Sequence, residues 1–135
     1  MQNDTMSPFH DRRQHTRYAL PSMYTDVAAR TLEENTFDRS GHAYDLSLGG
    51  MRFELDRPLE PGSEIGVRIK LPAYGLSFAE RRPIFAMARV VWVNEDDLEQ
   101  GGPIRMACVF RAFMQPGDRE RIERALRSGR YALAA

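Results

Sequence analysis

Asp45-Leu46-Ser47-Leu48-Gly49-Gly50 packs a carboxylate, a hydroxyl and two glycines into six residues. Two uses of such a stretch are open. As a turn, the Asp and Ser side chains bond nearby backbone groups, and Gly49 or Gly50 supplies a positive φ. As a ligand cradle, the carboxylate accepts hydrogen bonds from donors on a base, the hydroxyl bonds a polar oxygen, and a glycine lets a flat ligand approach the backbone. A second concentration of chemistry lies upstream. Arg12-Arg13-Gln14-His15-Thr16-Arg17 brings three guanidinium groups close together, with Arg13 and Arg17 in an Arg-x-x-x-Arg spacing. Taken alone, such a cluster is a solvated tail. Guanidinium groups are also planar, forked donors suited to phosphate oxygens and guanine edges.

Arg13-x-x-x-Arg17 followed by Asp45-x-Ser47-x-x-Gly50 resembles the two-part signature of the PilZ domain family, whose members bind the bacterial second messenger cyclic di-GMP. The resemblance covers most of the chain, about residues 9–128. It implies that Arg13 and Arg17 act as the family's arginine pair, and that Asp45, Ser47 and Gly50 act as its second motif. Cyclic di-GMP carries two phosphodiester charges and two guanines, so its site needs cations, acceptors and stacking surfaces. Arginine can grip phosphate oxygens and can reach guanine O6 and N7 in a bidentate geometry. Asp45 would accept from the guanine N1–H and exocyclic amine, Ser47 would bond a phosphate or base atom, and Gly50 would leave room for the ligand. Arg12, directly before the pair, matches members with a double arginine, which often hold a stacked pair of ligand molecules. That points to two ligands per protein as against one.

The elements that must position these residues follow from periodicity. Residues 1–8 are polar and aperiodic, and are expected to be disordered. Residues 9–20 form a flexible arginine arm too poor in apolar residues around Arg12 to Arg17 for a packed strand or helix, and ordered by its ligand. A strand over about 23–32 and a second from about 37 or 39 to 46 bracket a turn at Glu33-Glu34-Asn35. Met51, Phe53 and Leu55 alternate with Arg52 and Glu54, the period of a half-buried strand, so the hexapeptide feeds a strand. Ile65, Val67, Ile69 and Leu71 repeat the pattern after a Pro- and Gly-rich loop. Ile84 to Val93 is apolar on both faces and is read as a central or doubly covered strand. Residues 94–103 are read as a polar, glycine-rich turn. Ile104, Met106, Cys108 and Phe110 face inward on a last strand, with Arg105 and Arg111 outside.

The period then changes from 2 to 3.6. Pro116 suits a first helical position, Asp118 and Glu120 suit the positive end of the helix dipole, and Ile122, Ala125 and Leu126 share a face. A helix over 116–128 is expected, with Gly129 able to stop it and a tail over 129–135. The class is therefore all-β with one terminal helix. Short strands joined by connections too short for crossover helices imply an antiparallel sheet curled into a barrel over 21–112. The resemblance makes this a six-stranded PilZ-type β-barrel with a C-terminal α-helix.

Trp92, at the end of its strand, has two open roles: its face can stack on a guanine, or it is ordinary core.

Composition narrows the function classes. At 135 residues with 42% hydrophobic content, one domain with a real core is expected. Zero formal net charge and the lack of an extended basic stripe argue against nucleic acid as partner, so any anion site is local. The single cysteine, Cys108, is read as a small buried thiol in a reducing, cytoplasmic protein. Met1 to Phe9 lacks the blocks of a secretory signal, and no apolar run reaches membrane-spanning length. His10, His15 and His42 lack ligand-like spacing to carboxylate or cysteine, and no phosphate loop, dinucleotide fingerprint or nucleophile elbow is present. No catalytic residue, metal or cofactor is expected beyond the ligand itself. The reading is a cyclic di-GMP receptor that passes its signal to an unidentified effector protein. A nucleotide-independent PilZ-like adaptor is the alternative.

Overall fold

The computed structural model describes residues 15–21, 25–72 and 81–134. Arg12, Arg13, the residues before them and the middle of the 72–82 connection, with Tyr74 and Phe78, lie outside the described residues. The strands are β1 (Tyr18–Ala19), β2 (Asp26–Thr31), β3 (Arg39–Leu46), β4 (Gly50–Leu55), β5 (Glu64–Lys70), β6 (Ile84–Val93) and β7 (Ile104–Phe113). Two helices accompany them, α1 (Glu95–Gln100) and α2 (Asp118–Leu126).

All the strand pairings are antiparallel, and they close on themselves. β2 lies between β3 and β5, β6 between β5 and β7, and β4 joins β7 back to β3. Six strands thus form a barrel, and β1 adds to β3 outside the ring. The expected alternation fills the interior. Phe53, Leu55, Ile65, Val67, Ile69, Ile84 and Met106 are all fully buried. Cys108 is buried among them, and burial pushes its thiol pKa up to about 12, so it is an inert packing group.

Several expectations change. β6 is central but not doubly covered: Ala86, Ala88 and Val90 face the core, while Val91 and Trp92 are exposed. Residues 94–103 contain helix α1, because Asn94 caps it by accepting from the Asp97 N–H (3.0 Å) and three acids occupy its first turn. Gly101 and Gly102, both at positive φ, end it. Helix α2 starts two residues after Pro116, since Gly117 takes a left-handed φ of 87° that no helix interior accepts. Its face is as expected, with Ile122 and Leu126 joining the barrel core.

The arm is also tied in at its end. Tyr18 and Ala19 pair with Leu46 and Asp45, and Leu20 is buried. Leu20 N–H donates to the Tyr44 carbonyl (3.0 Å). Among the described residues no helix is long and apolar enough to cross a membrane.

Candidate functional site

The site grows from an irregularity in β3. Ala43 pairs with Phe53 and Asp45 with Arg52, so Tyr44 is an extra residue in the ladder, a β-bulge. Ala43 faces the core with Phe53 and Leu46 faces it with Met51, both buried. Asp45 shares its face with Arg52 and therefore looks out of the barrel.

Although it looks outward, Asp45 is only 5% exposed, because β1 crosses beside it with Ala19 as its cross-strand partner. One carboxylate oxygen, Oδ2, lies 3.5 Å from Arg52 Nε; the other, Oδ1, is buried without a hydrogen-bond partner. Burial pushes the Asp45 carboxyl above its ordinary value, while Arg52, Arg17 and a main-chain hydrogen bond from Arg52 pull it down. The charge of Arg17 is therefore felt at Asp45. The β1 register agrees with this: Ala19 lies opposite Asp45 and Tyr18 opposite Leu46, and Arg17 directly precedes them at the end of β1. Arg17 and Ala19 then share the face of Asp45.

Beyond Leu46 the chain bends. The Gly49 and Gly50 N–H groups donate to the Ser47 hydroxyl oxygen (3.0 and 3.2 Å), and the Ser47 N–H donates to the Gly50 carbonyl (2.9 Å). Ser47 thus builds the turn that launches β4. Neither glycine has a positive φ, contrary to the turn expectation. A Cβ on Gly50 would lie 2.2 Å from the Cys108 carbonyl oxygen, so the space it leaves belongs to strand β7. A Cβ on Gly49 would lie 2.9 Å from the His15 ring, which makes His15 a half-buried cover of the turn. His15, Leu48, Glu123 and Leu126 line a cavity of about 180 Å³ between arm, turn and α2.

Trp92 is 44% exposed, which removes the core role. It pairs with Ala107, Ala107 pairs with Arg52, and Arg52 pairs with Asp45. These four residues form one outward row across β6, β7, β4 and β3, three strand spacings or roughly 14 Å long. The small Ala107 keeps the row shallow, and exposed Val109 flanks it.

The structure brings Arg17, Asp45, Ser47 and Gly50 together and places Trp92 at the far end of the same face. Arg12 and Arg13 lie outside the described residues. Sequence reasoning missed Arg52 and His15. Arg52 carried a signal, being the first outward side chain on the strand that leaves the turn.

A model of one family, the PilZ domain, matches residues 11–128. Curated proteins return no match. Solved structures of similar fold include the Bacillus subtilis inhibitor of motility MotI/DgrA, with 22% identity, TM-score 0.59, covering 85% of this chain and 49% of that one. Escherichia coli YcgR in complex with c-di-GMP has 20% identity and TM-score 0.62, covering 87% of this chain and 45% of that one. A Klebsiella pneumoniae MrkH–c-di-GMP complex has 20% identity and TM-score 0.61, covering 85% and 50%. The chain spans about half the length of these three proteins.

Proposed function

This chain belongs to the PilZ domain family, and from that premise we propose that it is a receptor for cyclic di-GMP which relays the ligand's presence to a partner protein. The observation that carries the reading is Asp45. A carboxylate turned out of the barrel, almost fully buried, with one oxygen unbonded, is costly to the fold. A guanine presenting N1–H and its amino group supplies the missing donors.

In this reading Arg17 and Arg13 take phosphate oxygens or a guanine edge, and Arg12 adds the charge that a stacked pair of ligands would need. Ser47 and Gly50 hold the turn so that its backbone and Asp45 stay in place, and Trp92 offers a stacking face at the other end of the outward row. The ligand completes the ordering of the arginine arm, whose end β1 already holds on the barrel, and the surface so created is what a partner reads. The similar structures solved with c-di-GMP support the ligand class. One similar structure, named as an inhibitor of motility, supports a role in motility control. The nucleotide-independent adaptor has in its favour that turn and strand packing account for Ser47 and Gly50 on their own. It leaves Asp45 unexplained.

The test is calorimetric titration with cyclic di-GMP, with GTP and cyclic GMP as controls. Saturable heat with cyclic di-GMP alone, lost in an Arg13→Ala, Arg17→Ala double variant, is expected, and the stoichiometry separates one ligand from two. No heat and no thermal shift at high ligand concentration would sink the receptor reading in favour of the adaptor.

A further inference from the structure

Strand β1 has two edges. One pairs with β3; the other is taken by residues 132–134. Ala19 N–H donates to the Ala132 carbonyl (2.8 Å), Ala134 N–H donates to the Arg17 carbonyl (3.0 Å), and Tyr18 faces Leu133 in an antiparallel bridge. The stretch expected as a tail is thus an edge strand, and Tyr131, packed against the core, anchors its approach from α2. A two-residue strand held on one side only is a weak element. Arg17 sits at its end, with its own carbonyl fixed by the Ala134 amide.

We propose that residues 132–134 are a positioning strap for ligand binding: they hold β1 in register on β3 and so set the Arg17 guanidinium beside Asp45 before ligand arrives. This rests on the receptor reading. Preorganised cations bind without the ordering cost that a loose arm pays. The strap also links α2 to the arm, so a partner that displaces residues 132–134 weakens ligand binding, and ligand in turn resists that displacement.

The experiment compares Ala134→Pro, which lacks the N–H donor, with Ala134→Val, which keeps it. Cyclic di-GMP titration is read together with melting temperature and with hydrogen exchange at the Ala19 amide. The expected result is about tenfold weaker binding in Ala134→Pro, faster Ala19 exchange and a melting temperature close to the parent protein, with Ala134→Val behaving as the parent. In the Arg17→Ala background, Ala134→Pro adds no further loss, because the strap acts through Arg17. Unchanged affinity in Ala134→Pro, or a loss that adds in full to that of Arg17→Ala, overturns the strap while leaving the receptor reading intact. Absence of binding by the parent protein overturns both.

Discussion

Replacing Asp45 by Asn separates ligand chemistry from fold stability, because the two respond in opposite directions. In the folded chain the carboxyl lies above its ordinary value, chiefly through burial. A carboxyl raised in this way contributes its stability below the unfolded pKa and loses it as pH rises through the folded value. At neutral pH the charged Asp45, with Oδ1 unbonded, is a net cost. Leaving a buried acceptor unsatisfied costs ~1–3 kcal/mol. Asn lacks the charge but keeps a carbonyl for the Arg52 main-chain bond. The Asn amide stands unbonded where Oδ1 did, so the gain is the burial cost of the charge less its forfeited attraction to Arg52 and Arg17, about 1 kcal/mol. For a chain of this size that raises the melting temperature by about 3–5 °C. The gain fades in acid, where the parent carboxyl is protonated in both states.

Affinity moves the other way. A hydrogen bond to a charged acceptor contributes ~1.5–3 kcal/mol, and Asn turns one acceptor into a donor that faces the guanine N–H groups. A loss of about 3 kcal/mol, on the order of a hundredfold in Kd, is expected. Thermal melts at pH 4 and pH 7.5 and a cyclic di-GMP titration together decide it. An Asp45→Asn protein that melts lower at neutral pH shows the carboxylate to be a structural anchor for Arg52. One that binds ligand within threefold of the parent removes Asp45 as the guanine acceptor.

Three further outcomes follow from the geometry. Gly50→Ala drives a Cβ to within 2.2 Å of the Cys108 carbonyl oxygen, so it destabilises by roughly 1–3 kcal/mol in urea titration; parent-like stability would refute the β4–β7 register. Trp92→Ala, at an exposed position, changes stability by less than ~1 kcal/mol yet weakens cyclic di-GMP binding by ~1–3 kcal/mol if the indole carries a base, and unchanged affinity removes it from the site. Arg121→Met strands the fully buried Asp118 carboxylate that Arg121 pairs at 3.0 Å, at ~3–5 kcal/mol; adding Asp118→Asn recovers most of the loss, and a double variant as unstable as the single one would refute the pairing argument.

The barrel was legible because its strands carry their own phase. Ile65, Val67 and Ile69 against Glu64, Arg68 and Lys70 need no partner to declare which side is wet. Helix α2 announced itself by the change of period, but it is two residues shorter at each end than the expected 116–128: Gly117 at a left-handed φ delays its start, and it ends at Leu126 with Arg127 as its cap, before Gly129 is reached. Helix α1 is hard to see because it has only six residues and buries none of them. Its formation rests on the Asn94 cap and the acidic first turn, signals that the following Gly-Gly-Pro outweighs. The pairing of β1 with residues 132–134 depends on chain ends meeting across the whole sequence, which no local pattern encodes.

The two features that matter most for the site are illegible for a single physical reason. Strict alternation from buried Ala43 would turn Asp45 into the barrel, and strict alternation from buried Val90 would do the same to Trp92. Each is instead preceded by a bulge, at Tyr44 in β3 and at Val91 in β6, and each bulge shifts the phase by one. Beyond them, Leu46 and Val93 pair with the buried Met51 and Met106, so the strands resume core packing one step out of register. A bulge is fixed by the partner strand's register, not by the residue that bulges, so the sequence left Trp92 undecided between core and surface. The two bulges turn the carboxylate and the indole to the same outer face, at opposite ends of one row. That both ends of the row depend on a broken alternation, where an unbroken one would bury a charge at Asp45 and crowd an indole into the core, is the structural argument for placing the proposed ligand on this face and not in the barrel interior.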